Sequence, residues 1–253
     1  MSAVARERVD RPATALPLVC RSVSRSHVGR VRLINEDRVL DDPAAGLWAV
    51  ADGMGGHSGG DLAAQQIVDT LREAASRPVT IDAACSALHE ANRLIHARNR
   101  RLRLEAGATV VMAALAEEGL AIAWAGDSRA YRIGAAGAEL LTHDHSVVQQ
   151  LVDARVISPD MAEHHPLANV VTRALGIDPA VRLDAVYGLP LPGRFLLCSD
   201  GLSRSLRDED LARDAPLEQL ADALMDGALT RDGSDNVSLV LIEVSRRAST
   251  PMS

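Results

Sequence analysis

Five acidic clusters stand out beside short hydrophobic stretches, three of them where apolar runs stop. Residues 46–51 run into Asp52-Gly53, residues 120–125 into Gly126-Asp127, and residues 194–199 into Asp200-Gly201. Asp235-Asn236 comes just before the apolar run 237–244, and Glu36-Asp37 follows Arg32-Leu33-Ile34-Asn35. One Asp-Gly pair on its own reads as a turn after a strand. Several pairs at strand ends read differently, because strand ends share a rim where acids distant in sequence converge on a rigid frame. Carboxylates gathered this way repel one another and raise each other's pKa values. A hard divalent cation removes that repulsion, and an all-oxygen donor set suits Mg²⁺ or Mn²⁺, not zinc. A glycine beside the acid lets the backbone approach closely and offers its carbonyl as a further oxygen.

The elements that position these acids follow from periodicity. Apolar runs at 18–24, 47–51, 109–115, 120–125, 129–133, 194–198 and 237–244 are predicted strands. Ala64, Ile67, Val68 and Leu71 share one helical face over about 60–75. Ala84, Leu88, Ala91 and Ile95 form a second face after Thr80, a candidate N-cap. Leu217, Leu220, Ala221, Leu224, Met225 and Ala228 form a third, with Pro216 expected in its first turn. A fourth helix is expected from about Ser146. Runs of strands with helices grouped between them predict an α+β fold with antiparallel sheets.

Composition excludes several functions. The chain has 253 residues, 47% hydrophobic, with net charge -7. That length suits one domain with a sizeable core. All 27 basic residues are arginine, which excludes Schiff-base lysines and lysine-bearing phosphate loops. An acidic chain with 2% aromatic residues is poorly suited to nucleic acid. Three cysteines without a C-x-x-C pair argue for a reducing cytoplasm. No apolar run approaches the roughly 20 residues of a membrane span, and no secretory leader is read at the start. Residues 1–17 and 246–253 read as tails flanking a single domain over 18–245.

Seven motifs occur in order: R-L-I-N-E-D (32–37), A-D-G-M-G-G-H (51–57), A-G-D-S-R-A-Y-R (125–132), L-T-H-D-H-S (141–146), T-R-A-L-G (172–176), L-L-C-S-D-G-L (196–202) and S-D-N-V-S (234–238). Together they resemble the metal-dependent Ser/Thr protein phosphatases of type 2C (the PPM family) in their short bacterial form. The resemblance implies two packed antiparallel sheets flanked by helices, an α-β-β-α sandwich. It implies two Mn²⁺ or Mg²⁺ ions per site, Asp52 bridging them and the Gly53 carbonyl binding one. Asp200 and Asp235 would complete one ion's shell, and Asp37, with Glu36 beside it, would serve the other. Asp127 with Asp200 matches a third, looser metal position. Arg32 matches the arginine that holds the substrate phosphate, and residues 146–175 match a flap beside the site.

The implied reaction is hydrolysis of phosphoserine or phosphothreonine on proteins, water between two ions attacking phosphorus in line. A cognate Ser/Thr kinase would be its counterpart, and the wording of the motifs resembles stand-alone phosphatases linked to type VI secretion. A cytoplasmic monomer is expected. Two other readings stand beside the enzyme: a non-catalytic binding module on the same fold, and a phosphomonoesterase acting on small molecules. All the metal acids and Arg32 are present, which favours the protein phosphatase.

The sequence departs from eukaryotic members at Met54, where they carry the histidine assigned as general acid. His57, three residues on, and water remain the alternative proton donors. His143 and His145 are expected to anchor the flap, and His164 and His165 to be solvated. Arg129 is expected to form a structural ion pair. The cluster Arg98, Arg100, Arg101 and Arg103 is expected to complement a helix dipole. Trp48 and Trp124 are expected behind the site as core residues.

Overall fold

Strand β1 (Leu18–His27) is followed by β2 (Arg38–Asp42) and β3 (Leu47–Met54). Helices α1 (Gly60–Ala74) and α2 (Ile81–Leu102) come next, then strands β4 (Gly107–Ala116), β5 (Gly119–Ala125), β6 (Arg129–Gly134) and β7 (Gly137–Leu140). Short helices α3 (Val147–Asp153) and α4 (Pro159–Ala162) lead to β8 (Asp184–Leu189) and β9 (Gly193–Cys198). Helices α5 (Asp200–Ser203), α6 (Asp208–Leu211) and α7 (Leu217–Arg231) precede β10 (Val237–Arg246). The computed structural model describes residues 18–55, 59–75, 79–116, 119–134, 137–162 and 164–246. The expected tail 1–17, the residues after Arg246, and His57 lie outside the described residues.

The strands form two antiparallel sheets, ordered β1-β10-β9-β6-β7 and β2-β3-β4-β5-β8. Alternation along each strand decides which side chains meet. Trp48, Val50, Val111, Ala113 and Ile122 of one sheet pack against Phe195, Leu197, Val240 and Ile242 of the other. The residues between them point outward and are buried as well. Ala49, Ala51, Val110 and Met112 meet α1 and α2, while Leu196, Leu239 and Leu241 meet α7. Strands buried on both faces read as continuous apolar runs, which is why they stand out in the sequence. The result is the expected four-layer α-β-β-α sandwich.

The helix boundaries follow their caps. Thr80 accepts a hydrogen bond from the Ala83 amide and starts α2, and Ser146 does the same for Gln149 and starts α3. Pro216 is the residue before α7, not part of its first turn. Strands β2, β7 and β8 were not anticipated: β2 is largely polar, β7 is short, and β8 is an edge strand with an irregular register against β5. Strand β10 runs through Arg246, one residue into the expected C-terminal tail.

Candidate active site

The antiparallel register brings the acids together. The end of β3 lies beside the start of β2, since Ala51 pairs with Arg38, so Asp52 and Asp37 share a rim. Asp127 follows β5 at the same rim. On the second sheet β9 ends where β10 begins, placing Asp200 beside Asp235. A cleft of about 260 Å³ opens there, lined by Arg32, Glu36, Asp52, Gly53, Asp127, Asp200, Arg204, Asp235 and the flap residue Asn169, among others. Asp37 lies behind it, 2% exposed.

Glycine is required at Gly53 and Gly126. A Cβ on Gly53 would sit 2.7 Å from the Glu36 carbonyl oxygen and closer still to Gly60. Gly126 turns the chain out of β5 with φ 120°, where a side chain would run into Thr109.

A polar scaffold holds the loop that carries Arg32. Asn236 accepts from the Glu36 amide at 2.8 Å and donates to the carbonyls of Val28 and Ile34. Arg38 donates to the carbonyls of Asn35 and Asp37. Ser199 donates to Asp37 Oδ2 at 2.9 Å and accepts from the Ser238 amide. The other oxygen, Asp37 Oδ1, is buried without a hydrogen-bond partner. Burial, together with the charges of Asp200 and Asp235, pushes the Asp37 pKa up to about 7, against the opposing hydrogen bond from Ser199.

The same strain runs through the cluster. Asp52 is pushed well above the ordinary carboxylate range by desolvation and by Asp37, Asp200 and Asp127; once protonated, it donates to Asp200. Asp127 rises to about 7, mainly through desolvation and then Asp200. Asp200 rises as well, burial outweighing the pull of Arg204. Glu36 is raised by desolvation and by Asp61, against Arg32 and a hydrogen bond from the Asp61 amide. Two arginines answer these charges. Arg32 pairs with Asp235 at 2.8 Å, and Arg204 forms a short ion pair with Asp200 four residues before it.

Among the described residues no three His, Cys, Asp or Glu side chains are already drawn together into a finished ion cage. The donor chemistry nevertheless fits hard cations. The groups are oxygens, they are short of counter-charge, and an orphaned buried carboxylate oxygen stands among them.

The structure thus brings together Arg32, Glu36, Asp52, Gly53, Asp127, Asp200 and Asp235 in one cleft, with Asp37 beneath. Sequence reasoning did not single out Asn236, Ser199, Arg38 or Arg204. Asn236 and Ser199 sit next to acids inside quoted motifs, which was the available signal; Arg204 carried none.

His143 and His145 make the anchoring hydrogen bonds expected of them, and His164 is exposed as expected, but His165 is half-buried and its Nδ1 accepts from the Leu167 amide. His145 Nδ1 accepts from the Gly126 amide at 3.0 Å, its carbonyl accepts from Thr172, and its ring stacks on Trp124. His143 pairs with Asp153 of α3 at 2.8 Å. Arg129 grips Asp144 through Nε and Nη2 at 2.7–3.1 Å, the structural ion pair anticipated. Trp48 is fully buried between the sheets, and Trp124 is 7% exposed.

A family model described as protein phosphatase 2C matches residues 25–238. The serine/threonine phosphatase stp of Listeria innocua is 33% identical over 236 residues, spanning 87% of this chain and 94% of that protein. The solved structure described as PppA, a key regulatory component of T6SS in Pseudomonas aeruginosa, superposes with TM-score 0.81 at 36% identity, covering 92% of this chain and all of that one. The catalytic domain of the serine/threonine protein phosphatase PstP, solved with two manganese ions, gives TM-score 0.80 at 34% identity over 90% of this chain and 99% of that one.

Proposed function

The chain belongs to the protein phosphatase 2C family and is a serine/threonine protein phosphatase of the bacterial PPM type, and from this premise we propose that its acid-lined cleft removes phosphate from phosphoserine and phosphothreonine with the help of Mn²⁺ or Mg²⁺. The observation that carries the reading is the convergence of acids from five strand ends on one cleft with too few positive partners.

Asp52, the Gly53 carbonyl, Asp200 and Asp235 would hold one ion, and Asp52 with Asp37 and Glu36 the other. When bound, such ions supply positive charge to phosphoryl oxygens and ease the deprotonation of water. Arg32 offers the substrate a planar fork of donors. Its side chain is 52% exposed at the cleft, so the guanidinium that pairs with Asp235 is open to exchange that partner for a phosphate dianion. Asn236 fixes the carbonyls of Val28 and Ile34 on either side of Arg32, which keeps the fork aimed into the cleft. Asp37 is held by Ser199 through one oxygen, and its other oxygen is buried without a hydrogen-bond partner, free to serve an ion. The leaving alkoxide takes its proton from His57 or from water.

The same reading makes this phosphatase the cytoplasmic counterpart of a Ser/Thr kinase, acting beside a type VI secretion system. Similarity to PppA supports that placement, and no helix among the described residues is long and apolar enough to cross a membrane. The chemistry is tested on protein stripped with EDTA. Phosphoserine and phosphothreonine peptides should be hydrolysed only after Mn²⁺ or Mg²⁺ is returned. Folded protein that stays inactive with metal would point to a binding module. Turnover of small phosphorylated metabolites but not of peptides would point to a phosphomonoesterase.

A further inference from the structure

Charge is spread unevenly along the cleft. Six carboxylates, Glu36, Asp37, Asp52, Asp127, Asp200 and Asp235, gather there against two guanidiniums, Arg32 and Arg204. Nearby acids are already matched elsewhere: Asp61 has Arg38 at 3.7 Å, and Asp144 has Arg129. The arginines hold different acids by direct contact. Arg32 pairs with Asp235, and its charge acts more weakly on Glu36 and Asp200. Arg204 is bound to Asp200, and its charge also acts on Asp127. Among the described residues Asp52 and Asp37 form no ion pair, and Asp37 Oδ1 is buried without a hydrogen-bond partner. Ionised, the six acids exceed the two arginines by four charges, which two divalent cations would balance and a third would overshoot.

Arg204 is held in place by the chain itself. It caps α5, and its amide donates to the Asp200 carbonyl at 3.0 Å, so its side chain returns one turn over the Asp200 carboxylate. Nothing else among the described residues competes for it: Arg204 makes no other ion pair, and its side chain is 34% exposed on the cleft wall. We propose that Arg204 is a built-in cation standing in for a metal ion at the Asp127–Asp200 edge, so that this chain loads two divalent cations, not three. Arg204 is in this sense a positioning residue, acting through the acids it neutralises. The inference rests on the metal reading given above.

Equilibrium dialysis against Mn²⁺, followed by metal analysis of the protein, separates the two ideas. The intact protein should bind two ions per chain. Arg204→Met should gain a third, weaker ion, and its melting temperature should rise more steeply with Mn²⁺ than that of the parent. Arg204→Lys keeps the charge and should return to two. A merely structural arginine would lower the melting temperature equally with and without metal and leave the count alone. Asp127→Asn in the otherwise intact protein should still bind two, since Asp127 serves Arg204 and not an ion; this arm stands even if Arg204→Met fails to fold. Three ions in the intact protein, two in a folded Arg204→Met, or fewer than two in Asp127→Asn would each overturn the role given to Arg204. No Mn²⁺ bound by the intact protein would overturn the metal reading itself.

Discussion

At the foot of the flap, Asp144 is gripped by Arg129 at 2.7 Å and Asp184 by Arg173 at 2.9 Å; at the cleft, six carboxylates share Arg32 and Arg204. The same chemical group ends in opposite states. Burial alone would raise Asp184, but hydrogen bonds from His145 and Arg173 outweigh it and hold it below its ordinary value. Burial and like charge hold Asp37, Asp52, Asp127 and Asp200 above theirs. Acids matched by at least one cationic partner each hold the fold together. Acids left over in a buried group are a cost that folding alone does not explain, and a ligand of opposite charge does.

The largest effect that bears on this contrast is expected at the cleft. Asp52→Asn should lower kcat/KM on a phosphopeptide at least about 100-fold, as losing a charge aimed at the reacting group does elsewhere. Its metal-free melting temperature should not fall, because the fold without metal already favours an uncharged group there and the amide can still donate to Asp200. Near-parental turnover would sink the assignment. Next is the paired region. Arg129→Met leaves Asp144 enclosed without its partner and should cost about 3 kcal/mol in urea unfolding, with or without Mn²⁺. A loss under about 1 kcal/mol would mean the flap pair behaves like an ordinary surface pair, and the contrast would fail.

A smaller effect is the pH response of the metal-free protein. Asp37 and Asp127 titrate near 7 in the fold, above the ordinary carboxylate value, so folding favours their protonated forms. Their contribution is full at acid pH and is lost as pH rises towards about 7. Melting temperatures in EDTA should therefore fall between about pH 5 and about pH 7 and level off above, and Mn²⁺ should flatten the trend. A rise over that interval in EDTA would contradict it. The smallest effect has the opposite sign. Desolvation first, with Arg173 adding to it, lowers the His145 pKa against the pull of Asp184. Its contribution is present above the ordinary histidine value and is lost as pH falls below it. His145→Gln should lessen the loss of stability between about pH 7 and about pH 5 in urea titrations.

Much of this was legible in the sequence, for particular reasons. Strands β3, β4, β5, β9 and β10 are buried on both faces, and their unbroken apolar runs betray them. Asp52, Asp127 and Asp200 were visible because each follows the end of such a run, and Asp235 because it stands just before one. Strand β2 was not, since Arg38, Asp41 and Asp42 hide its period of two. Arg38 points to the loop carbonyls and Asp41 accepts from Ser22, roles fixed by neighbours far along the chain. Arg204 was invisible for a related reason: its meaning depends on a single turn of α5 folding it back over Asp200. Asn236 and Ser199 make hydrogen bonds that span most of the chain, and no local pattern encodes those.

The flap is fastened at both ends by the same few bonds. Ser146 bridges Val171, the Val147 amide donates to Val170 at 2.9 Å, and the Thr172 amide donates to His145 at 2.7 Å, while Leu175 bridges Ala108 on β4. Entry and exit therefore lie side by side, and what happens between them need not disturb the sheets. A segment clamped like this is an exchangeable cassette. Rewriting it would change the stretch of cleft wall made by Asn169 and Val171 while leaving the strand-end acids beneath in place.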